Sequence, residues 1–172
     1  MSTREATLAR LIEEEWPKLR RYFRTLVPES DVLDLVQNTM LAYVESDGPS
    51  DRAKERAYLW GIAWRQSQRY YEKHSRKGVP FDSAVHTASQ LDGSFTSQLD
   101  RRDRLVAALH GIPVQQQSAM ILRHCEGLTL EEIAEALELS LATVKRYLTA
   151  AEQTLRAELG TLDGLPAAYE KL

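Results

Sequence analysis

The chain has 172 residues, enough for one domain or two small ones, and a hydrophobic share of 43% that excludes disorder throughout. No apolar run approaches the roughly 20 residues that span a bilayer. The N-terminal stretch MSTREATLARLIEEEW sets acids inside its apolar periodicity and lacks a signal-peptide core. Cys125 stands alone, which excludes an internal disulfide and a cysteine-rich metal centre. A cytoplasmic location is therefore expected. Net charge is −3, which argues against a protein that grips nucleic acid unaided. The charge is uneven, however: residues 51–77 hold eight Lys/Arg against three Asp/Glu, one basic block in an acidic chain.

A first helix is predicted over about residues 5 to 26, where Leu8, Leu11, Ile12, Leu19, Phe23 and Leu26 recur at helical spacing. Pro17 should bend or break it, because proline lacks the N–H and crowds the preceding turn. Glu13, Glu14 and Glu15 read as a solvated charge run, and Arg20, Arg21 and Arg24 as a solvated face. A second helix should start near Ser30 or Asp31, either of which can cap it, and run to about Glu45. Val32, Leu35, Val36, Met40 and Tyr43 supply its apolar positions. Asp31, Asp34, Gln37 and Asn38 lie on another face, which is either solvated or a docking surface for a basic partner.

Residues 46–51 read as a loop by their turn residues. The basic block follows as a third helix of about 20 residues. It interleaves cations with aromatics: Arg56, Tyr58, Trp60, Trp64, Arg65, Arg69, Tyr70, Tyr71 and Lys73. Aromatic faces stack on unpaired bases while cations hold phosphates, at roughly 1–3 kcal/mol per stacked base. The competing reading puts these rings in the core with Leu59, Ile62 and Ala63. At least two of Tyr58, Trp60, Trp64, Tyr70 and Tyr71 are candidates to face a ligand.

Ser, Thr, Gly, Asp and Gln then dominate and periodicity is lost, so residues 78–98 read as a flexible linker. His74, His86, His110 and His124 show no metal-holding spacing. The helical pattern returns with Leu105, Val106 and Leu109 and stops at Gly111-Ile112-Pro113. A helix over about Val114 to Glu126 is closed by Gly127.

Residues 128–159 read as a helix-turn-helix. Thr129 and Glu132 have the spacing of a capping box. Ile133, Ala134 and Leu137 share one face. Ser140 can cap the second helix, in which Val144, Leu148, Ala151 and Leu155 form an inward stripe. Thr143, Lys145, Arg146 and Thr149 are left on other faces, as in a helix whose first turns enter the major groove. An ordinary helical hairpin is the plain alternative, and Glu138 stands where a turn glycine is common. Gly160, Gly164 and Pro166 mark a loose tail.

The expected fold is all-α, in two small helical domains over residues 1–77 and 99–162, with the linker over 78–98 and the tail over 163–172. The first should pack around Leu11, Leu19, Leu35, Met40, Leu59 and Ile62. The second should pack around Leu105, Leu109, Ile121, Ile133, Leu137, Val144 and Leu148. No Gly-rich phosphate loop, nucleophile elbow or metal-spaced cluster is present, so neither an enzyme nor a cofactor is expected.

Three stretches in this order resemble the extracytoplasmic-function sigma factors of bacterial RNA polymerase, a branch of the sigma-70 family. SDVLDLVQNTMLAYVE is similar to that family's region 2.2. RAYLWGIAWRQSQRYYEKHSRK is similar to regions 2.3 and 2.4. GIPVQQQSAMILRHCEGLTLEEIAEALELSLATVKRYL is similar to region 4. The wording SLATVKRYL leans toward the iron-uptake branch. The resemblance implies an alternative sigma factor for transcription initiation, with core RNA polymerase, promoter DNA and an anti-sigma factor as partners. Asp31, Asp34, Gln37 and Asn38 would dock on the polymerase. Arg56, Tyr58, Trp60, Trp64, Arg65, Arg69 and Lys73 would serve the minus-10 element. Ser140, Thr143, Lys145, Arg146 and Thr149 would serve the minus-35 element.

Departures bear on these roles. Ala63-Trp64-Arg65 stands where the family often has Ala-Arg-Asn, and Arg69 where it often has Asp, which implies an unusual minus-10 preference. Thr149-Ala150-Ala151-Glu152 stands where further Arg or Lys is common, so region 4 should contribute a shallow salt dependence. A stand-alone helix-turn-helix regulator and a sigma-like interaction module are the rival readings.

Overall fold

Ser2 starts the first helix, α1 (Thr3–Leu26), through a capping box with Glu5. The computed structural model describes residues 2–74, 82–83, 87–88 and 104–172, the side chains at 105 and 106 excepted. Leu105, expected in the core, and most of the expected linker lie outside the described residues. The sequence expects a bend or a break at Pro17; there is no break, and α1 is one continuous helix. Pro17 and Glu13 are both solvent-exposed, so water can take the carbonyl that loses its partner. Beyond it, buried Leu19, Tyr22, Phe23 and Leu26 hold the second half of the helix in place.

Only Val27 and Pro28 separate α1 from α2 (Glu29–Glu45). Pro28 is the boundary residue, and neither Ser30 nor Asp31 caps the helix as expected. The short connection leaves no room for a later start, and Asp31 is used elsewhere. Asp51 caps a 3₁₀ turn over Arg52–Lys54, which leads into α3 (Glu55–His74). The second half holds α4 (Arg104–Leu109), α5 (Val114–His124), α6 (Leu130–Leu137) and α7 (Leu141–Leu159). Gly127 turns the chain between α5 and α6 at φ +69°, a conformation glycine adopts without steric cost. No strand occurs among the described residues, apart from one isolated bridge between Thr87 and Pro113.

The fold is all-α, as expected, and α3 is its centre. It packs on α1 and α2 on one side and on α6 on the other, the most extensive helix pairing in the molecule. Gly61 permits the approach of α6: a Cβ there would already lie 3.4 Å from the Ala136 carbonyl oxygen. The halves are also joined by buried hydrogen bonds. Tyr22 and Ser118 pair through their hydroxyls at 3.0 Å, and Gln117 Nε2 donates to the Thr25 carbonyl at 2.8 Å. The described residues of both expected cores are thus part of one continuous apolar cluster, with Leu11 at its edge. Each large aliphatic or aromatic side chain in it contributes roughly 1.5–3 kcal/mol of burial.

The tail, expected to be loose, forms α8 (Leu165–Glu170), with Leu165, Ala168 and Tyr169 buried. Its packing partners lie far back in sequence, so local turn residues could not reveal it. Described residues of the expected linker also touch the body: Ala88 is buried and the Ser83 carbonyl accepts from Gln115 N.

Candidate nucleic-acid and polymerase interfaces

The helix-turn-helix is built from local signals. Thr129 Oγ1 accepts from Glu132 N at 3.1 Å, and the Glu132 carboxylate accepts from Thr129 N at 2.7 Å. Glu138 closes α6 in the left-handed region at φ +56°. Ser140 Oγ accepts from Thr143 N at 3.1 Å and donates to Thr143 Oγ1 at 2.8 Å, so both hydroxyls also serve the start of α7. Val144, Leu148, Ala151 and Leu155 are buried in one stripe. Ser140, Lys145, Arg146 and Thr149 are exposed, and Thr143 is half-buried beside them. The five residues expected to serve the minus-35 element therefore share the open, N-terminal half of α7.

On α3 the expected residues divide. Trp60 and Trp64 are each 1% exposed, and Tyr70 and Tyr71 are buried. Trp60 meets Tyr22 edge-on at 5.2 Å, and its indole N–H donates to Glu15 Oε2 at 3.1 Å. Tyr71 donates to the Leu26 carbonyl at 2.6 Å. Tyr70 donates to Asp31 Oδ2 at 2.7 Å; burial, then this carboxylate partner, hold its phenol protonated well above the usual range. The expectation that at least two of the five aromatics face a ligand is corrected: only Tyr58 is half-exposed. A central helix is covered on two sides, and Trp60, Tyr70 and Tyr71 are taken up by the contact with α1 and α2.

The cations of α3 divide as well. Arg56 Nη2 donates to the Glu126 carbonyl at 2.6 Å, and its Nε lies 3.7 Å from Glu15. Arg65 pairs with Glu138 at 3.2 Å, and Lys54, just before α3, lies 3.8 Å from Glu135. Arg69 and Lys73 are exposed and line a shallow groove with Asp31, Asp34 and Asn38. Glu15, expected in a solvated run, is buried and holds Trp60, Lys18 and Arg56 together. Arg21 and Arg24 are likewise not simply solvated: Arg21 lies over the Tyr169 ring, and Arg24 pairs with Glu29.

The α2 face is open. Asp34, Gln37 and Asn38 are exposed, while Asp31 is partly covered by its bond to Tyr70. Sequence reasoning missed that Leu33, Leu41 and Val44 stand exposed beside them, at 52%, 55% and 41%. The signal was present: these three are out of phase with the core positions 32, 35, 36, 40 and 43. It also missed a cleft between α1 and the loop over 46–52, lined by Arg4, Thr7, Tyr43, Ser46, Asp47 and Arg52.

An acidic all-α chain with a recognition helix in one half and an acidic, partly apolar face in the other is built as a DNA-binding protein that works from a protein partner. Residues 11–77 match sigma-70 region 2, and residues 102–155 match sigma-70 region 4. An RNA polymerase sigma-E factor of Streptomyces avermitilis is 32% identical over 155 residues, covering 89% of this chain and 85% of that protein. The ferric citrate uptake sigma factor FecI of Escherichia coli is 26% identical over 131 residues, covering 74% and 76%. The solved structure of the sigma factor RpoE with the anti-sigma factor NepR, from Bartonella quintana, has a similar fold. Its TM-score is 0.60 at 22% identity, covering 89% of this chain and 96% of that one.

The chain belongs to the extracytoplasmic-function sigma factors of the sigma-70 family. It is an alternative sigma factor that binds core RNA polymerase and promoter DNA to initiate transcription, and it is not an enzyme. No helix among the described residues is long and apolar enough to cross a membrane.

Proposed function

We propose that residues 1–77 carry polymerase docking and minus-10 engagement, and that residues 99–162 carry minus-35 recognition. In this reading Asp34, Gln37 and Asn38, with Leu33, Leu41 and Val44, dock on the polymerase, and Asp31 supports their helix from its edge. Arg69, Lys73, Tyr58 and the loop before α3 meet the minus-10 element, joined by Arg56 and Arg65 once their acidic partners leave. Trp60 and Trp64 hold α3 in shape. Ser140, Thr143, Lys145, Arg146 and Thr149 read the minus-35 major groove. The observation that carries the reading is α7, whose buried stripe leaves this polar set together on an open face.

The charge map supports a division of labour. An acidic chain binds DNA weakly alone, so polymerase supplies much of the affinity. The cytoplasm is the compartment where such a protein works. An anti-sigma factor is the regulator this fold accommodates, as RpoE does with NepR. Membership of the iron-uptake branch is a finer reading. It rests on the SLATVKRYL wording and the likeness to FecI, and the higher identity to a sigma-E factor weighs against it.

The test is a pull-down of purified core polymerase, wild type beside Asp34→Arg. Binding by the wild type and loss of at least tenfold in the variant are expected. Equal binding by both would remove α2 as the docking face.

A further inference from the structure

We propose that the C-terminal segment, residues 160–172, is a latch that holds the two halves of this sigma factor closed on each other in the free protein. The proposal deepens the sigma-factor reading and rests on it.

The segment lies beyond the region 4 match, which ends at residue 155. Gly160, at φ +80°, ends α7, and the chain turns back into α8. Tyr169 is 1% exposed and reaches both halves. Its hydroxyl donates to Glu126 Oε1 at 2.7 Å, just after α5, and lies 3.4 Å from the Lys18 carbonyl on α1. The Arg21 guanidinium, also on α1, lies 5.7 Å from the ring centroid. Arg24 Nη1 donates to the Leu172 carbonyl, and Leu165 packs in the shared core. A six-residue helix has no stability of its own. This helix packs on α4 in its own half, and Lys18, Arg21 and Arg24 of α1 complete the seat, so the α1 contacts are the part that ties the halves together.

The closed form cannot be the working one. The minus-35 and minus-10 elements lie about 25 base pairs apart, or about 85 Å of duplex at 3.4 Å per pair. A compact chain of this length has a radius of gyration of about 16 Å and a diameter near 40 Å. The halves must separate for one chain to reach both elements. Until then α6 lies on α3, and Glu126, Glu135 and Glu138 stand against Arg56, Lys54 and Arg65. The α2 and α7 faces stay open in this form, so the latch works against the spread arrangement in which polymerase and promoter engage both halves at once, and against release of Arg56 and Arg65.

The test compares the full chain with Tyr169→Phe and with a chain ended at Leu159. Small-angle scattering reads the shape without polymerase, and titration with core polymerase reads the consequence. A ligand that needs the open form binds weaker by the open fraction. If closed outnumbers open by about ten to one, truncation raises apparent polymerase affinity roughly tenfold, and Tyr169→Phe raises it roughly threefold. Both should enlarge the radius of gyration while far-UV circular dichroism stays near wild type. A purely structural role would lower stability without any gain in binding. Unchanged size and affinity in both variants would overturn the latch. If truncation unfolds the chain, Tyr169→Phe decides alone, and wild-type size in that variant overturns the proposal. Expansion without polymerase binding by any form would keep the latch and remove the sigma-factor reading.

Discussion

The helices α3 and α7 look alike in sequence and are used in opposite ways. Both are about 20 residues long, and both mix cations with apolar residues at helical spacing. In α7 the apolar residues form one stripe, so the helix has an inside and an outside, and its cations face out. In α3 the apolar residues go nearly all the way round: Ala57, Leu59, Trp60, Gly61, Ile62, Ala63 and Trp64 are buried almost without interruption. A helix buried all round is a core helix. Arg56 and Arg65 lie at its margins, where acids from α1 and from the C-terminal half reach them, and Arg69 and Lys73 stay exposed near its end. The width of the apolar stripe, rather than the number of cations, separates an exposed basic face from a covered one.

The sharpest way to break this contrast is Trp60→Ala. A core Trp costs about 3–5 kcal/mol on truncation, and the change also removes a donor from buried Glu15. Urea unfolding should show a loss of that size. A loss below about 0.5 kcal/mol, with failed promoter opening, would instead make Trp60 a base-stacking surface and α3 an exposed helix.

On α7 the balance reverses. Replacing Lys145 and Arg146 by Ala should leave the unfolding midpoint nearly unchanged, because exposed substitutions fall within about 0.5 kcal/mol. The same pair should weaken promoter binding by the holoenzyme. Each lost phosphate contact lowers the salt slope by about one, and each lost base contact costs about 1–3 kcal/mol. A salt titration of fluorescence anisotropy on promoter DNA separates the two. An unchanged slope and affinity would move minus-35 recognition off this helix.

What could be read in advance follows the range of the interactions. The helix-turn-helix was legible down to its caps, since Thr129–Glu132 and Ser140–Thr143 contacts close within three residues. The order of helices and most core positions were legible from periodicity. Burial of Glu15 was not, because Trp60 and Arg56 come to it from more than 40 residues away. Nor was the seat of Tyr169, which is assembled from α1 and Glu126. The helix does not break at Pro17 because burial beyond it offsets the local penalty. The aromatics of α3 misled because one composition fits both a stacking surface and a core. The packing of α1, α2 and α6 around α3 decides between them.

The smallest expected effect lies at Glu138, where the local turn and the contact between halves pull against each other. The residue sits in the left-handed region at φ +56°, which costs a non-glycine residue about 1–2 kcal/mol. Its carboxylate meets Arg65 across the seam at 3.2 Å, with both side chains largely exposed, so the pair contributes at most about 1 kcal/mol. Glu138→Gly removes the strain, loses the pair and adds glycine's entropic cost of about 0.5–1 kcal/mol. These terms nearly cancel, and the variant should lie within about 1 kcal/mol of wild type in urea, on either side. Glu138→Gln separates them, because it keeps the strain and removes only the charge. If Gln destabilises by more than about 1 kcal/mol, the seam depends on this ion pair far more than its exposure implies. If Gln is neutral and Gly gains, the turn is strained for a local reason and α6 is held on α3 by the approach at Gly61.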